Sequence, residues 1–314
     1  MKDNVSRAAT RSWGYNAVSA HWREVFGRPA RKIPLDAGFS CPNRDGTIAL
    51  GGCSFCNLQG SGTGLHPAMD LAAQWEHWRQ RRLSRFGNVA LVAYLQAFSN
   101  THGPAARLRE VLAELAGLAG LEGLCLGTRP DCLDQGKLEL LAAFPVRELW
   151  LELGLQSSNP ATLARVNRGH TPECFARAVQ AAAAAGVKVL AHVVAGLPGE
   201  SPEDWSATVE FVNDLPVAGI KFHNLYVASG TPLARDYRTG RFVPPDLTEY
   251  ASWVSRSLAE LRPDIVVHRL AADPAPGELV APDWAGIRGL ARDAVMDALR
   301  AGNIRQGMHW RNDT

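Results

Sequence analysis

Hydrophobic residues recur along the chain in short apolar runs, and these alternate with longer segments of helical period. Short apolar runs are typical of buried strands, and a repeat near 3.6 residues is typical of an amphipathic helix. The predicted strands are Lys32–Ala37, Val89–Phe98, Gly123–Thr128, Glu148–Leu155, Val187–Ala195 and Gly219–Tyr226. The predicted helices are Ala68–Arg85, Pro104–Ala119, Asp134–Phe144, Asn159–Ala185 with a break near Gly169, and Pro202–Leu215. Strands that alternate with helices predict βαβ units and an α/β fold with a parallel sheet.

This order of elements fits either an open doubly wound sheet or a partial barrel, and the pattern alone does not separate the two. No Gly-x-Gly-x-x-Gly follows the first strand, which argues against a dinucleotide-binding fold. The tail is predicted to form a helix, a short strand and a last helix, at Leu247–Arg262, Ile265–Leu270 and Trp284–Ala301. We interpret the tail as a cover over the open side. The chain then divides into a leader (1–30), an α/β barrel (31–245) and a C-terminal extension (246–314).

The composition is that of a globular protein, with 314 residues, 46% of them hydrophobic, and a formal net charge of +2. Such a chain can bury a full core, and its net charge does not indicate a polyanionic partner. There is no apolar run of membrane length and no signal-peptide pattern at Met1, so we expect a cytoplasmic protein without a membrane partner. In that setting six cysteines point to metal binding or catalysis rather than to disulfides.

Three of the cysteines, Cys41, Cys53 and Cys56, form a C-x11-C-x2-C motif just after the first predicted strand. Thiolates so spaced can hold three corners of one metal centre, and both zinc and iron–sulfur clusters use such ligands. A structural zinc site needs a fourth protein ligand, for which His66 is the only nearby candidate. The motif therefore favours an iron–sulfur cluster with one open iron and leaves zinc as the alternative.

The stretch DAGFSCPNRDGT…GGCSFCN, with the aromatic Phe55 before the last cysteine, resembles the radical S-adenosylmethionine (SAM) superfamily. The common spacing in that family is C-x3-C-x2-C, and the loop here is longer. The stretch is most similar to the uncharacterised bacterial subgroup of the YhcC type. That subgroup is similar to the radical SAM domain of the Elongator catalytic subunit and, more distantly, to the oxygen-independent coproporphyrinogen oxidase. The resemblance covers about Trp13 to Gly307.

The resemblance implies a partial (β/α)6 TIM-like barrel of parallel strands and a [4Fe–4S] cluster on the three cysteines. It also implies that SAM fills the open iron. One electron, from a donor such as flavodoxin or ferredoxin, would then cleave SAM to methionine and a 5′-deoxyadenosyl radical that takes a hydrogen from the substrate. The cofactor would supply the difficult step, and the barrel would supply position and exclusion of water.

Polar residues at the predicted strand ends are candidates for SAM contacts, because active sites of parallel barrels lie at those ends. On the fourth strand Glu152, Gly154 and Gln156 alternate onto one face, the lumen of a barrel. The resemblance to the coproporphyrinogen oxidase implies roles for Gln156 and Arg168, and Elongator-like proteins carry a motif similar to Thr128-Arg129-Pro-Asp. The full set of candidate SAM contacts is Asn100, Thr128, Arg129, Glu152, Gln156, Arg168, His192, Tyr226 and Val227.

Each candidate also has an ordinary structural interpretation. Asn100 can belong to a plain turn, Arg168 to a surface ion pair, and His192 to the core. Cys132, which follows the Thr128 motif, is a candidate for contact with the reacting centre, although a free cysteine is more often a small buried hydrophobe. The sequence leaves these alternatives open.

The substrate is open among three hypotheses. The segment Met1–Lys32 carries seven basic and two acidic residues, a net +5, with four aromatics, and Arg79–Arg85 adds four arginines. Basic residues among aromatics suit RNA, so the first hypothesis is a tRNA-modifying enzyme. The same leader can be a solvated helix that packs its aromatics on the barrel. The second hypothesis is an enzyme for a small metabolite or tetrapyrrole, and the third is a metal-stabilised binding module without catalysis.

Overall fold

The computed structural model describes residues 14–57, 59–60 and 69–311, and the part of the leader before residue 14 and His66 lie outside this range. The strands are β1 (Ala30–Leu35), β2 (Ala90–Leu95), β3 (Leu121–Thr128), β4 (Glu148–Gln156), β5 (Lys188–Ala195), β6 (Gly219–Asn224), β7 (Val227–Ala228), β8 (Val266–Arg269) and β9 (Leu279–Ala281). The helices are α1 (Val18–Phe26), α2 (Leu71–Phe86), α3 (Ala105–Ala116), α4 (Gln135–Ala142), α5 (Pro160–Arg165), α6 (Pro172–Ala184), α7 (Pro202–Asn213), α8 (Pro232–Arg238), α9 (Leu247–Glu260) and α10 (Leu290–Ala301). Short 3-10 turns lie at Pro130–Cys132 and Asp283–Gly286.

Seven parallel strands form the main sheet, in the order β1-β2-β3-β4-β5-β6-β8. The sheet curls into a half-barrel with helices outside it, which confirms the expected partial α/β barrel. It has one strand more than the six predicted runs. The additional strand β8 comes from the tail that we interpreted as a cover, and it pairs with β6 instead. Its short apolar run gave no sign of which edge it would join.

The outer helices begin where side chains cap their free backbone N–H groups. Asp70, Asp134 and Thr171 each accept a hydrogen bond from the first turn of the following helix. Ser201 and Asp246 form capping boxes at the starts of α7 and α9. Such caps fix where a helix starts and stabilise it by about 1 kcal/mol. The caps thereby fix the first turn of each of these helices.

Every residue of β2 is buried, because one face of the strand packs against helices and the other face lines the lumen. Leu91 and Leu95 belong to the core between sheet and helices. Val92 and Tyr94 face inward with the second hydrophobic cluster. Strands buried on both faces read as continuous apolar runs, which is why the sequence pattern found them.

The base of the barrel is closed by α1. Its Trp22 and Phe26 pack with Trp150 of β4 in the inner cluster. Ala17, just before α1, forms a bridge to Val267 of β8, so the leader also covers the far edge of the sheet. The described part of the leader therefore packs its aromatic side chains on the barrel, as one of the two interpretations of the leader predicted.

The rest of the tail forms the rim on the β8 side. The antiparallel pair β7–β9 links the segment after β6 to the segment after β8, and α10 packs on α9. No helix among the described residues is long and apolar enough to cross a membrane.

Replacing Phe26 by Ala should lower the free energy of unfolding by about 3–5 kcal/mol, because it removes a ring that is 3% exposed from the closed base. Val243→Ala, at a side chain that is 76% exposed, should change it by less than about 0.5 kcal/mol. Denaturant unfolding followed by circular dichroism measures both. Similar losses for the two variants would contradict the closing role of α1.

Candidate active site

A cavity of about 700 Å³ opens where the parallel strands end. Its walls include residues at or just past the carboxyl ends of five strands: Gln96, Thr128, Gln156, Asn224 and Arg269. The volume lies within the range of roughly 300–1,000 Å³ that small-molecule sites show. In parallel barrels this end of the strands carries the chemistry.

The three cysteines of the C-x11-C-x2-C motif all line this cavity. They lie on the loop after β1, which is folded on itself by backbone bonds such as Gly52 N–H to the Asn43 carbonyl at 2.8 Å. Gly51 and Gly52 have φ of +83° and +84°, which favours glycine over any residue with a side chain. The described cysteines are all free thiols.

The surroundings of Cys53 suit a thiolate that binds a cluster. Asn43 Nδ2 and Arg168 Nη1 lie 3.6 Å and 3.7 Å from its Sγ, within hydrogen-bonding distance of sulfur. Burial raises the pKa of the Cys56 thiol and the neighbouring Cys53 adds to the rise, whereas Arg44 opposes it. Hydrogen bonds to sulfur tune iron–sulfur centres. The donor set therefore fits a [4Fe–4S] cluster.

The zinc alternative depends on a fourth protein ligand, for which the sequence offers His66. His66 lies outside the described residues, so zinc at these thiols stays an alternative that iron analysis decides.

Arg168 and Gln156 meet over Gly154 of β4. A Cβ at Gly154 would lie 2.4 Å from Arg168 Nη2 and 2.7 Å from Gln156 Nε2, so glycine leaves the room that both side chains need. Arg168 Nη2 donates to the Gly154 carbonyl at 2.7 Å, and its Nε is buried without a partner. The backbone of Gln156 has φ of +75°, a strained value for a residue with a side chain.

Glu152 is more deeply involved with the protein than the sequence indicated. Its carboxylate accepts hydrogen bonds from Lys32 Nζ at 2.6 Å, from His192 Nε2 at 2.8 Å and from Lys221 Nζ. Burial disfavours this charge, but Lys221 and Lys32 outweigh burial and hold the pKa of Glu152 well below its usual range. Contact of Glu152 or His192 with SAM stays a prediction, since both side chains line the cavity but already have partners.

Thr128 and Arg129 both line the cavity. The Thr128 hydroxyl lies 2.7 Å from that of Thr101. The Arg129 guanidinium binds the Asp131 carboxylate at 2.7 and 2.9 Å and donates to the Arg168 carbonyl at 2.6 Å. Arg129 therefore supports the loop that carries Arg168, whether or not it also contacts a ligand.

Three predicted residues lie outside the cavity lining. Asn100 Nδ2 donates to the carbonyls of Leu95, Ala97 and Gly127 at 3.2, 3.0 and 2.8 Å, so this side chain fixes a turn. Cys132 is buried, and burial raises the pKa of its thiol to about 12. Val227 is buried in β7. Their positions give no support to direct contact with SAM or substrate.

Tyr226 does line the cavity, and its hydroxyl donates to Glu278 Oε1 at 2.8 Å. Sequence reasoning missed other lining residues, among them Trp78, Tyr94, His223 and Arg269. The period-2 alternation that identified the β4 face would have found Tyr94 on β2 and His223 on β6. No local signal marked Trp78 or Arg269, since both come from elements whose place beside the cavity is set by packing.

Fold and cavity together define a class: parallel partial barrels whose strand ends surround three cysteine thiols. The chain matches the Radical SAM superfamily over residues 43–212 and the Radical_SAM C-terminal domain over residues 217–295. The protein YhcC of Escherichia coli (strain K12) is 36% identical over 263 residues, which are 82% of this chain and 84% of that protein. The chain belongs to the radical SAM superfamily, which confirms the resemblance seen in the sequence. Membership implies SAM and a [4Fe–4S] cluster as cofactors and a radical SAM enzyme as the class.

Two further proteins share part of the chain. The tRNA uridine(34) acetyltransferase of Dehalococcoides mccartyi is 29% identical over 182 residues, which are 57% of this chain and 38% of that protein. The solved structure of archaeal Methanocaldococcus infernus Elp3, without N-terminal residues 1–46, superposes with a TM-score of 0.63. It covers 75% of this chain and 60% of the other at 19% identity, so it shows the fold alone.

Replacing Cys53 by Ala should abolish binding of the cluster, because one iron loses its protein ligand. Cys125→Ala and Cys174→Ala should keep it, since neither residue lines the cavity. Iron content and visible absorbance after anaerobic reconstitution measure the difference, with about four irons per parent chain expected. Stoichiometric zinc without iron-dependent absorbance would overturn the assignment.

Proposed function

We propose that the chain is a radical SAM enzyme that acts on RNA, tRNA in particular, with its [4Fe–4S] cluster held by Cys41, Cys53 and Cys56. A SAM-loaded cluster supplies, after one-electron reduction, cleavage of SAM to methionine and a 5′-deoxyadenosyl radical. We take the reductant to be a small electron carrier of the flavodoxin or ferredoxin type. The observation that carries the RNA assignment is a group of arginines around α2 that form no ion pair with any described residue.

Unpaired polar atoms in the wall support a role for this cavity in holding SAM. Ser99 Oγ, Arg168 Nε and Asn224 Nδ2 are buried in residues that line the cavity, and they have no hydrogen-bond partner in the described part of the chain. Buried polar atoms are rarely left unpaired, so a polar ligand is the simplest explanation. Arg168 can bind the methionyl carboxylate through its free Nε, and Gln156 stands beside it for a second polar contact.

The arginine group lies on α2 and at the start of β1. Arg81 and Arg82 stack over the ring of Trp78, at 5.5 and 5.4 Å from its centre. Arg85 and Arg31 stack on Phe86, at 5.2 and 4.3 Å. Trp78 itself lines the cavity, and Arg81 and Arg82 follow it along α2. Arg31 and Arg85 lie toward the amino-terminal ends of the strands.

The positive charge of this group is not neutralised. Arg79 on the same helix pairs with Glu76, but Arg31, Arg81, Arg82 and Arg85 form no ion pair with any described residue. Burial lowers the pKa of Arg82, and the like charges of Arg31 and Arg85 lower it further. Unpaired guanidinium groups on half-buried aromatic rings suit the phosphates of an RNA backbone.

The relatives agree with this proposal without establishing it. One relative is named for tRNA, and 57% of this chain matches it. The shared part is 38% of that protein, so its acetyltransferase activity is not inferred for this chain. RNA as substrate rests on the arginine group.

Gln156→Ala and Arg168→Ala should each weaken SAM binding by about 1–3 kcal/mol, the cost of a lost buried or charged hydrogen bond. Anaerobic calorimetry on reconstituted protein measures the affinity, and iron content is followed in parallel because Arg168 lies near Cys53. Arg165→Ala is the control, since Arg165 donates to the Pro198 carbonyl and does not line the cavity. Parental affinity in both variants would show that SAM does not bind against the end of β4.

Replacing Arg81, Arg82 and Arg85 together by Ala should lower tRNA affinity about tenfold or more at low salt and flatten its salt dependence, because fewer counterions are released. Cleavage of SAM without substrate should not change. Titrations of purified tRNA at two salt concentrations measure the effect.

The matched control is the triple variant Arg292, Arg300, Arg305→Ala, which removes the same charge from α10 and the turn after it, away from the cavity lining. It should bind tRNA like the parent. No measurable tRNA binding by the parent at the lower salt would refute the RNA assignment and favour a small-molecule substrate.

A further inference from the structure

Between the apolar base and the cavity, a layer of ionisable side chains crosses the lumen. Glu152 lies at its centre and accepts hydrogen bonds from Lys32, Lys221 and His192. Lys221 Nζ also donates to the Tyr94 hydroxyl at 3.1 Å. These hydrogen bonds join side chains from five strands, β1, β2, β4, β5 and β6.

Arg269 adds a further cation at this level. It ends β8, where it is the register partner of Lys221 on β6, and its side chain lines the cavity. Among the described residues it forms neither an ion pair nor a hydrogen bond. Lys32 and Lys221 thus share the Glu152 carboxylate, whereas Arg269 does not pair with it.

Two other acids line the cavity without pairing with Arg269. Glu278 accepts from the Tyr226 hydroxyl at 2.8 Å and from the Ala275 N–H at 2.6 Å. Asp273 is exposed to solvent. Among the described residues the Arg269 guanidinium therefore keeps its hydrogen-bond donors for a ligand.

The charge of Arg269 also affects the pKa values of neighbouring groups. Burial lowers the pKa of Lys221 to about 7, and Lys32 and Arg269 act in the same direction against Glu152. His223 lines the cavity with its Nε2 buried and without a partner. Burial lowers the pKa of His223 well below its usual range, with His192 and Arg269 adding to the effect. A neutral imidazole can still donate one N–H.

We propose that the cavity floor formed by Tyr94, His192, His223 and Arg269 binds an anionic group of the substrate, a carboxylate or a phosphate. The planar guanidinium of Arg269 can bind two oxygens of such a group, and His223 can donate to one of them. The anion would bind the Arg269 guanidinium and the buried Nε2 of His223 together. This inference goes beyond the RNA assignment, because a nucleotide phosphate and the carboxylate of a small acid offer the same chemistry.

The carboxylate of SAM is the competing source of the anion. Arg168, which lies 3.7 Å from Cys53 Sγ, is the cation placed beside the thiols. Arg269 is on a different part of the wall, since β5 and β6 separate β8 from β4, the strand against which Arg168 packs. Two cations on separate strands suit two anionic groups, one of SAM and one of the substrate.

The test is the anion dependence of the melting temperature of full-length, anaerobically reconstituted protein. Inorganic phosphate or succinate should raise Tm by about 2–4 °C over chloride of equal ionic strength, since a bound ligand stabilises the native state. Arg269→Gln should lose this rise and melt in chloride no lower than the parent, because it relieves like-charge repulsion. Arg305→Gln removes an exposed charge and should behave like the parent.

A response to one anion alone identifies a phosphate or a carboxylate and supports the site. A response that survives Arg269→Gln overturns it. A second combination of results also overturns the proposal: saturating SAM abolishes the rise in Tm, and Arg269→Gln weakens SAM binding. The anion bound by Arg269 is then part of SAM. If Arg269→Gln does not fold, the anion dependence of Tm is measured on His223→Asn instead. Failure of tRNA titrations leaves this result unaffected, since no RNA is present.

Discussion

The burial of the Glu152 carboxylate inside the curled sheet is the constraint on which the inner barrel depends. An isolated buried charge is strongly unfavourable, so the lumen has to supply partners for it. Lys32, His192 and Lys221 do so from β1, β5 and β6, three strands that only the curl of the sheet brings around one point. The closed apolar base beneath them excludes water from these contacts and so strengthens them.

This polar layer sets what the cavity above it can hold. The layer occupies the central carboxylate, and among the described residues Arg168 Nε, Asn224 Nδ2 and His223 Nε2 are buried without a hydrogen-bond partner. The loop of the cysteines closes the other side, fixed by bonds such as Ser54 N–H to the Val166 carbonyl at 2.9 Å. Donors in the wall beside a loop of thiols suit a polar ligand that carries a carboxylate.

The chemistry and the substrate rest on different evidence. Membership of the radical SAM superfamily accounts for the barrel and implies the cluster. The arginines around Trp78 and Arg269 lie outside the cysteine motif. The two proposals about the substrate rest on them, RNA on the arginine group and an anionic group on Arg269.

The sequence by itself determined the succession of strands and helices, the cysteine motif and the polar face of β4. Each of these is local: a strand buried on both faces is apolar throughout, and alternate residues share a face. Tertiary structure decided that β8 extends the barrel wall, that Glu152 is shared among three donors, and that Asn100 fixes a turn instead of lining the cavity. It also decided that Trp78 and Arg269 stand beside the cavity. Those features depend on which strands become neighbours and how far the sheet curls, and no short stretch of sequence carries that information.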